Sequence, residues 1–360
     1  MTLARLFLLL AVAALLGCNH DPLAPPPGPA MAPGTHLRSP WDTTAVNITQ
    51  RPYDCPHMAR ISPDILVTNG TAAQKNVSDA VKQAVYAESD VALHDLASYT
   101  VAAADNFQHT GSQAAARCVV TLLAGAAADH SMAGYMGDGD AVKEQNQALR
   151  AVAIAYLKIR PSGLASPDEH ALISAWMDDI AHSEQQRMQH GPCGQKFCDL
   201  HGHTGLSVAM AAGAVGVATG DEALFRWSIA QYRAAVSAID PNGTLHYDTH
   251  GAYALKFMVV SAGDLVQIAE FGETNGLPMY AFANGRIHLL VHTVSRGLID
   301  SGTISGAAGV EQKMSKTVEP WQISWAAVYN RRFPDAVLSG LLQQIGPRGA
   351  DMWGGEPWDA

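Results

Sequence analysis

An all-α protein, assembled as a stack of helical hairpins, is what this sequence predicts. Three observations lead there. Segment after segment carries apolar residues at helical spacing, modest polar loops separate them, and no convincing period-two run of strand residues appears. With 48% hydrophobic residues in 360, the chain can bury a sizeable core. An α/α toroid or a helical bundle satisfies this pattern, and no strict internal repeat marks a solenoid.

Met1 to Cys18 reads as an export signal, with Arg5 at its positive end, Leu6 to Leu16 as its apolar run and Leu15-Leu16-Gly17-Cys18 at its close. That run is short for a membrane-spanning helix. Leu-Leu-Gly-Cys resembles a bacterial lipobox, which implies cleavage before Cys18 and lipidation of its thiol. Asn19 after the cysteine implies, by resemblance to enteric-type sorting, the outer membrane. The proline-rich stretch Asp21 to Pro40 reads as an extended, disordered tether. The expected organisation is therefore a signal peptide (1–17), a lipidated cysteine with its tether (18–44) and one helical domain (45–360).

Within that domain, Val142 to Ile159 places Leu149, Val152, Ala153, Tyr156 and Leu157 on one side and ends before Pro161. Ser166-Pro167-Asp168-Glu169 has the order of a capping box, with Leu172, Trp176 and Ile180 following at four-residue steps. Leu206 to Val217 is small and apolar, as a buried helix would be. Asp221 to Ile239 repeats the amphipathic pattern and is stopped by Asp240-Pro241-Asn242-Gly243. Ala252 to Phe271, Tyr280 to Ile299 and Glu319 to Arg331 complete the set.

A net charge of −10 argues against nucleic acid, whose backbone requires a basic surface, yet leaves room for a few cations around one sugar acid. With Cys18 lipidated, four cysteines remain, and an exported protein favours disulfides. Cys193 with Cys198 would close a short loop, leaving Cys55 and Cys118 as a long-range pair; zinc is the alternative for Cys193 and Cys198. No Gly-rich phosphate loop after a strand and no Gly-x-Ser-x-Gly is present, which disfavours nucleotide chemistry and serine hydrolysis. No redox cofactor or nucleotide is implied.

Two polar clusters interrupt the helical pattern. The first is Cys193 to Thr204, holding Asp199, His201 and His203; the second is His246-Tyr247-Asp248-Thr249-His250 with Tyr253 and Lys256. Both sit where a loop enters an apolar helix, so the two junctions are expected to face each other across an active site. In an extended loop His201 and His203 point the same way, and Asp199, His246 or His250 would complete a metal site. His-x-His is frequent by chance among fifteen histidines, so no metal is assigned.

Leu149 to Lys158, the span His201 to Leu245 with Leu224-Phe225-Arg226-Trp227-Ser228, and Trp353-Gly354-Gly355-Glu356 resemble the alginate lyases of the poly(β-D-mannuronate) lyase type, exported α/α-toroid enzymes of Gram-negative bacteria. The resemblance runs from about Cys55 to the C-terminus, and Cys55-Pro56 with Cys118 looks like that family's long-range disulfide. It implies an α/α toroid and β-elimination on a polyuronate: an Asn-His pair and an Arg neutralise the carboxylate, and a Tyr removes the C5 proton and protonates O4. A proton beside a carboxylate is too weakly acidic until that charge is screened, and the leaving oxygen needs a proton donor. In D-mannuronate and D-glucuronate both lie on one side of the ring, so one group can serve both steps.

His201 matches the family histidine, but Leu200 stands where the family has Asn, and His203 replaces an aromatic. The family arginine falls near His250-Gly251 and its tyrosine near Phe257, with Tyr253 one turn earlier. His201, His203, His250 and Tyr253 are therefore the expected catalytic set. Tyr247, Lys256, Lys313, Trp321 and Trp325 are the expected substrate-binding residues, and Lys75 is a candidate lid residue. The expected function is a lipid-anchored periplasmic polysaccharide lyase, monomeric, acting on a uronic-acid-containing polymer. A glycoside hydrolase on the same fold, using Asp199 or Asp248, and a carbohydrate-binding or export lipoprotein are the rivals.

Overall fold

The helices alternate between an inner and an outer layer. In the computed structural model, which describes residues 36–43, 46–65, 79–137, 139–190, 202–315 and 317–356, the first eight helices are α1 (Asp79–Thr110), α2 (Gln113–Ala128), α3 (Gly139–Ile159), α4 (Pro167–His190), α5 (His203–Thr219), α6 (Glu222–Ser237), α7 (Ala254–Thr274) and α8 (Arg286–Ile299). The odd-numbered members pack side by side, α1 on α3, α3 on α5 and α5 on α7, while the even-numbered ones lie outside them. That succession of hairpins is an α/α toroid. Four shorter helices, α9 (Gly302–Ala308), α10 (Pro320–Ile323), α11 (Ala326–Arg332) and α12 (Ala336–Ile345), follow it. Among the described residues, β-pairing is confined to isolated bridges.

The sequence explains which helices go inside. Gly205 to Ala218 of α5 are all buried, because the helix touches α3, α4, α6 and α7 at once. A helix enclosed on every side needs no amphipathic stripe, and its small residues let neighbours approach. At Gly216 a Cβ would lie 2.7 Å from the Asp221 carbonyl oxygen and 2.8 Å from the Phe225 nitrogen, so any larger residue would push α6 away. The segment Gly251–Thr274 is apolar enough to cross a membrane by composition, yet it is largely buried inside this ring.

The expected capping box forms. Glu169 Oε2 accepts from the Ser166 backbone N–H at 2.9 Å, and Ser166 Oγ accepts from the Glu169 N–H at 3.3 Å. Other boundaries move for local reasons. The helix expected from Tyr280 starts at Arg286 because Ala283 and Asn284 take left-handed conformations, φ 51° and 57°. The one expected over 319–331 divides into α10 and α11. The tether expected to reach residue 44 is shorter at its C-terminal end: Leu37 and Trp41 are buried, and the Arg160 guanidinium bonds both Asp42 oxygens. Cys55 and Cys118 are disulfide-bonded, tying the segment before α1 to α2.

Two buried cations hold the inner layer together. Arg150 of α3 and Asp264 of α7 are both fully buried and form an ion pair. Ser207 of α5 donates to the other Asp264 oxygen at 2.8 Å. The guanidinium also lies 4.5 Å from the centre of the Trp353 ring, which fits because Gly263 leaves the space that a Cβ would occupy. Burial pushes the Asp264 carboxyl up to about 6, with Arg150 and Ser207 pulling against that rise. Lys158, 1% exposed, donates to Asp105 of α1 and to the carbonyl oxygens of Gly354 (2.6 Å) and Glu356 (2.7 Å). An ammonium has three donors, and all three are satisfied. The Trp353-Gly-Gly-Glu356 segment is thus a clasp across α1 and α3.

Removing one partner of a buried pair leaves an uncompensated charge, at a cost of about 3–5 kcal/mol. Arg150→Met is expected to lose stability on that scale in urea unfolding, and adding Asp264→Leu should recover most of it. A single variant as stable as the parent would show that the pair does not hold α3 to α7.

Candidate active site

The two loop-to-helix junctions meet at Asp248. This carboxylate is 1% exposed and lies in a short 3₁₀ turn, His246–Asp248. Its Oδ1 accepts from the backbone N–H of His203 and from His203 Nδ1, both at 2.9 Å. Its Oδ2 accepts from Ser261 Oγ of α7. Gly202, the residue preceding α5, offers no side chain for capping, so a carboxylate from another part of the chain satisfies an otherwise orphaned helix N–H. The same oxygen fixes the imidazole: Nδ1 carries the proton toward Asp248, and Nε2 is left for a substrate. His203 is the first residue of α5, so the loop expected to run through it ends at Gly202.

A stack of rings leads outward from this pair. Phe257 lies parallel to the His203 ring, 4.0 Å between centroids and 1° between planes. Tyr253 packs on Phe257 at 6.4 Å and is 48% exposed, so its hydroxyl is open to solvent or substrate. The Lys313 ammonium stands 5.9 Å from the Tyr253 ring centre. Its position is fixed by its neighbour: Gln312 Oε1 accepts from the Leu255 N–H at 3.0 Å, Gln312 Nε2 donates to the Gly251 carbonyl at 3.2 Å, and the Lys313 N–H donates to Ala252 O at 2.7 Å. Lys256 is exposed, with its ammonium 5.9 Å from the Trp321 ring centre. His246 packs edge-on against both Tyr247 and His250, at 5.7 Å each.

The structure therefore gathers His203, Tyr253 and Lys313 into one chain of contacts, Lys256 and Trp321 into a second, and His250 with Tyr247 around His246. Trp325 is a correction. Only 2% exposed, with its indole N–H on the Gln322 carbonyl at 2.9 Å, it belongs to the core and offers no face to a sugar. His201, Cys193, Cys198, Asp199 and Lys75 lie outside the described residues. Among the described residues, no group of three or more His, Cys, Asp or Glu is arranged to hold a metal.

Several residues that build the site drew no attention from spacing alone. Phe257 is expected only near the position of a tyrosine, Asp248 only as a member of the second polar cluster and a hydrolase candidate, and Ser261, Asp264 and Gln312 not at all. One signal was present: Asp264 is a carboxylate within the apolar run Val259 to Ile268, where an ionised side chain needs a partner.

The α/α toroid thus carries an imidazole–carboxylate pair, Tyr253 and Lys256 where α5 and α7 begin, with Lys313 in the loop before α10. Sequence comparison gives the family: the family model described as Alginate lyase matches residues 56–304, and the chain belongs to that family of polysaccharide lyases. A polysaccharide lyase of Stenotrophomonas maltophilia (strain K279a) is 27% identical over 316 residues, 84% of this chain and 89% of its own. An alginate lyase of Azotobacter chroococcum mcd 1 is 28% identical across 51% of this chain and 49% of its own length. The solved alginate lyase A1-III of Sphingomonas species A1 shares the fold, with TM-score 0.68, 18% identity and 89% of each chain covered. A histidine-to-alanine variant of A1-III complexed with a tetrasaccharide superposes equally well, with TM-score 0.69, 19% identity and 86% of each chain covered.

Asp248→Asn retains the volume but offers an amide in place of the charge that orients His203. Lyase turnover is expected to fall by about 100-fold or more with the fold intact. An Asp248→Asn protein with parental activity would show that the Asp248 charge is not needed for the reaction.

Proposed function

We propose that this lyase cleaves a uronic-acid-containing polysaccharide by β-elimination, with His203 as the carboxylate clamp and Tyr253 as the acid/base. The observation that carries the reading is the His203–Asp248 hydrogen bond across the two junctions, with Tyr253 reached through Phe257. Held through Nδ1 by the buried Asp248 carboxylate, His203 turns its Nε2 edge toward the side where the substrate carboxylate is proposed to bind. Lys256 and Lys313 add positive charge at the rim. Screening of the substrate carboxylate acidifies C5–H and stabilises the enolate-like intermediate. The Tyr253 phenolate removes the C5 proton; as the C4–O4 bond breaks, the resulting phenol returns a proton to O4, leaving an unsaturated sugar at the new end. His250 and His201 extend the clamp, His201 by its match to the family histidine.

The names of the relatives point to alginate as one member of an acidic substrate class. The parallel stack of His203 on Phe257, near the position where the resemblance implies a tyrosine, supports a clamp rebuilt on histidine rather than on the asparagine and arginine of the pattern. For cellular placement, Leu15 to Cys18 supports lipid attachment at Cys18 and a periplasmic, outer-membrane-anchored enzyme. We further propose that it acts as a monomer.

The decisive assay follows the ultraviolet absorbance of the unsaturated product on mannuronan, guluronan, glucuronan and acidic heteropolysaccharides. At least one polymer is expected to give product, and His203→Ala and Tyr253→Phe should each lower kcat by about 10²–10⁴-fold. New reducing ends without that absorbance would establish hydrolysis instead. For the anchor, labelled fatty acid should enter the full-length protein in a Gram-negative host and be lost in Cys18→Ser; labelling that survives the substitution would place the lipid elsewhere or leave the anchor unsupported.

A further inference from the structure

Beside the catalytic cluster lies a cavity of about 390 Å³ between α1, α3 and the C-terminal clasp, lined by His94, Glu144, Gln147, Trp321, Asp351 and Met352 among others. Its size falls at the small end of the roughly 300–1,000 Å³ typical of ligand sites, enough for about one or two pyranose rings. Trp321 joins it to the cluster, for the same indole that faces this cavity has the Lys256 ammonium 5.9 Å from its ring centre. Trp321 is held at ring and backbone: its indole N–H donates to Glu319 Oε2 at 2.6 Å, and its backbone carbonyl accepts from Trp353 Nε1 at 2.8 Å. A fixed aromatic face beside hydroxyl-binding side chains is the equipment of a sugar subsite.

The polarity of the lining changes across Trp321. On the catalytic side stand Lys256 and Lys313 with three histidines. On the cavity side stand two carboxylates, an amide and an imidazole, and among the described lining residues there is no Lys or Arg. Lys143 pairs with Glu144 at 2.8 Å but does not line the cavity. A uronate placed there would set its charge against like charges in a partly buried space, whereas a neutral ring offers hydroxyls that Glu144, Gln147 and Asp351 can accept from or donate to.

We infer that this cavity is a subsite for an uncharged sugar ring, so that the polymer carries neutral sugars beside the uronate at which it is cut. The inference rests on the lyase reading for the polymer as a whole, but the subsite's own binding is measurable without turnover.

The test is calorimetric titration of the whole protein with neutral tetrasaccharides of β-glucose, β-mannose and β-galactose, and with tetraglucuronate. At least one neutral tetrasaccharide is expected to bind. Glu144→Ala and Gln147→Ala should each weaken it about fivefold, the scale of one lost hydrogen bond, and Trp321→Ala should abolish it. Tetraglucuronate binding should respond more to Lys256→Ala than to Gln147→Ala. Thermal unfolding of each variant controls for folding. If no neutral tetrasaccharide binds, or if binding is indifferent to Glu144 and Gln147, the subsite is overturned, even when the enzyme cleaves homopolymeric uronans. Neutral-sugar binding without any lyase product would instead sink the catalytic reading and leave the subsite standing.

Discussion

Everything in the inner layer depends on a salt bridge that no water reaches. Arg150 and Asp264 are both fully buried, and an isolated charge at either position would carry a desolvation cost far larger than any single apolar contact could offset. The pair is tolerable only as a unit: carboxylate against guanidinium, with a hydroxyl from Ser207 and the face of Trp353 completing its surroundings. Because its members come from α3, α5, α7 and the C-terminal segment, satisfying it fixes four parts of the chain at once. Close apolar packing sets the spacing of the inner helices, and the pair adds directional bonds between α3, α5 and α7.

That fixed frame is what the catalytic cluster needs. His203 begins α5 four residues before Ser207, and Ser261 lies on α7 one turn before Asp264. The imidazole–carboxylate arrangement at the surface is therefore continuous, through two helices, with the ion pair beneath it. Both carboxylates work in the same geometry, each accepting from a serine and from a nitrogen base. The inner one has a permanent cation as its partner and is structural. The outer one has a histidine, whose other ring nitrogen remains for a substrate.

The helical class was legible in the sequence because burial leaves a periodic trace, as in Leu149 to Leu157 or in the Ser166–Glu169 box. The toroid was legible through Trp353-Gly-Gly-Glu356, whose role as a clasp no periodicity announces. The meeting of the two polar junctions was also foreseeable, since His203 and Asp248 both precede apolar helices. What could not be read was the bonding between them. Asp248 serves His203 only because a turn of 3₁₀ helix brings it beneath α5, and that is a tertiary fact. Trp325 and Trp321 are indistinguishable as letters, yet one fills the core and the other faces a cavity. Exposure of an aromatic four residues from another depends on the break between α10 and α11, for which the sequence offers no strong signal.

The clasp places a constraint on how this protein comes into being. Asp105 and Lys158 precede their partners, Gly354 and Glu356, by 196 to 251 residues. Until those residues emerge, a lysine that ends fully buried has no carbonyls to satisfy it, and Arg150 lacks the indole that covers it. Helices can form and pair during synthesis, but the ring is sealed only once Gly354 to Glu356 have been made and can dock. A chain that stops before Trp353 therefore keeps the Arg150–Asp264 and Lys158–Asp105 pairs but lacks the indole and the two carbonyls that close the seam over them.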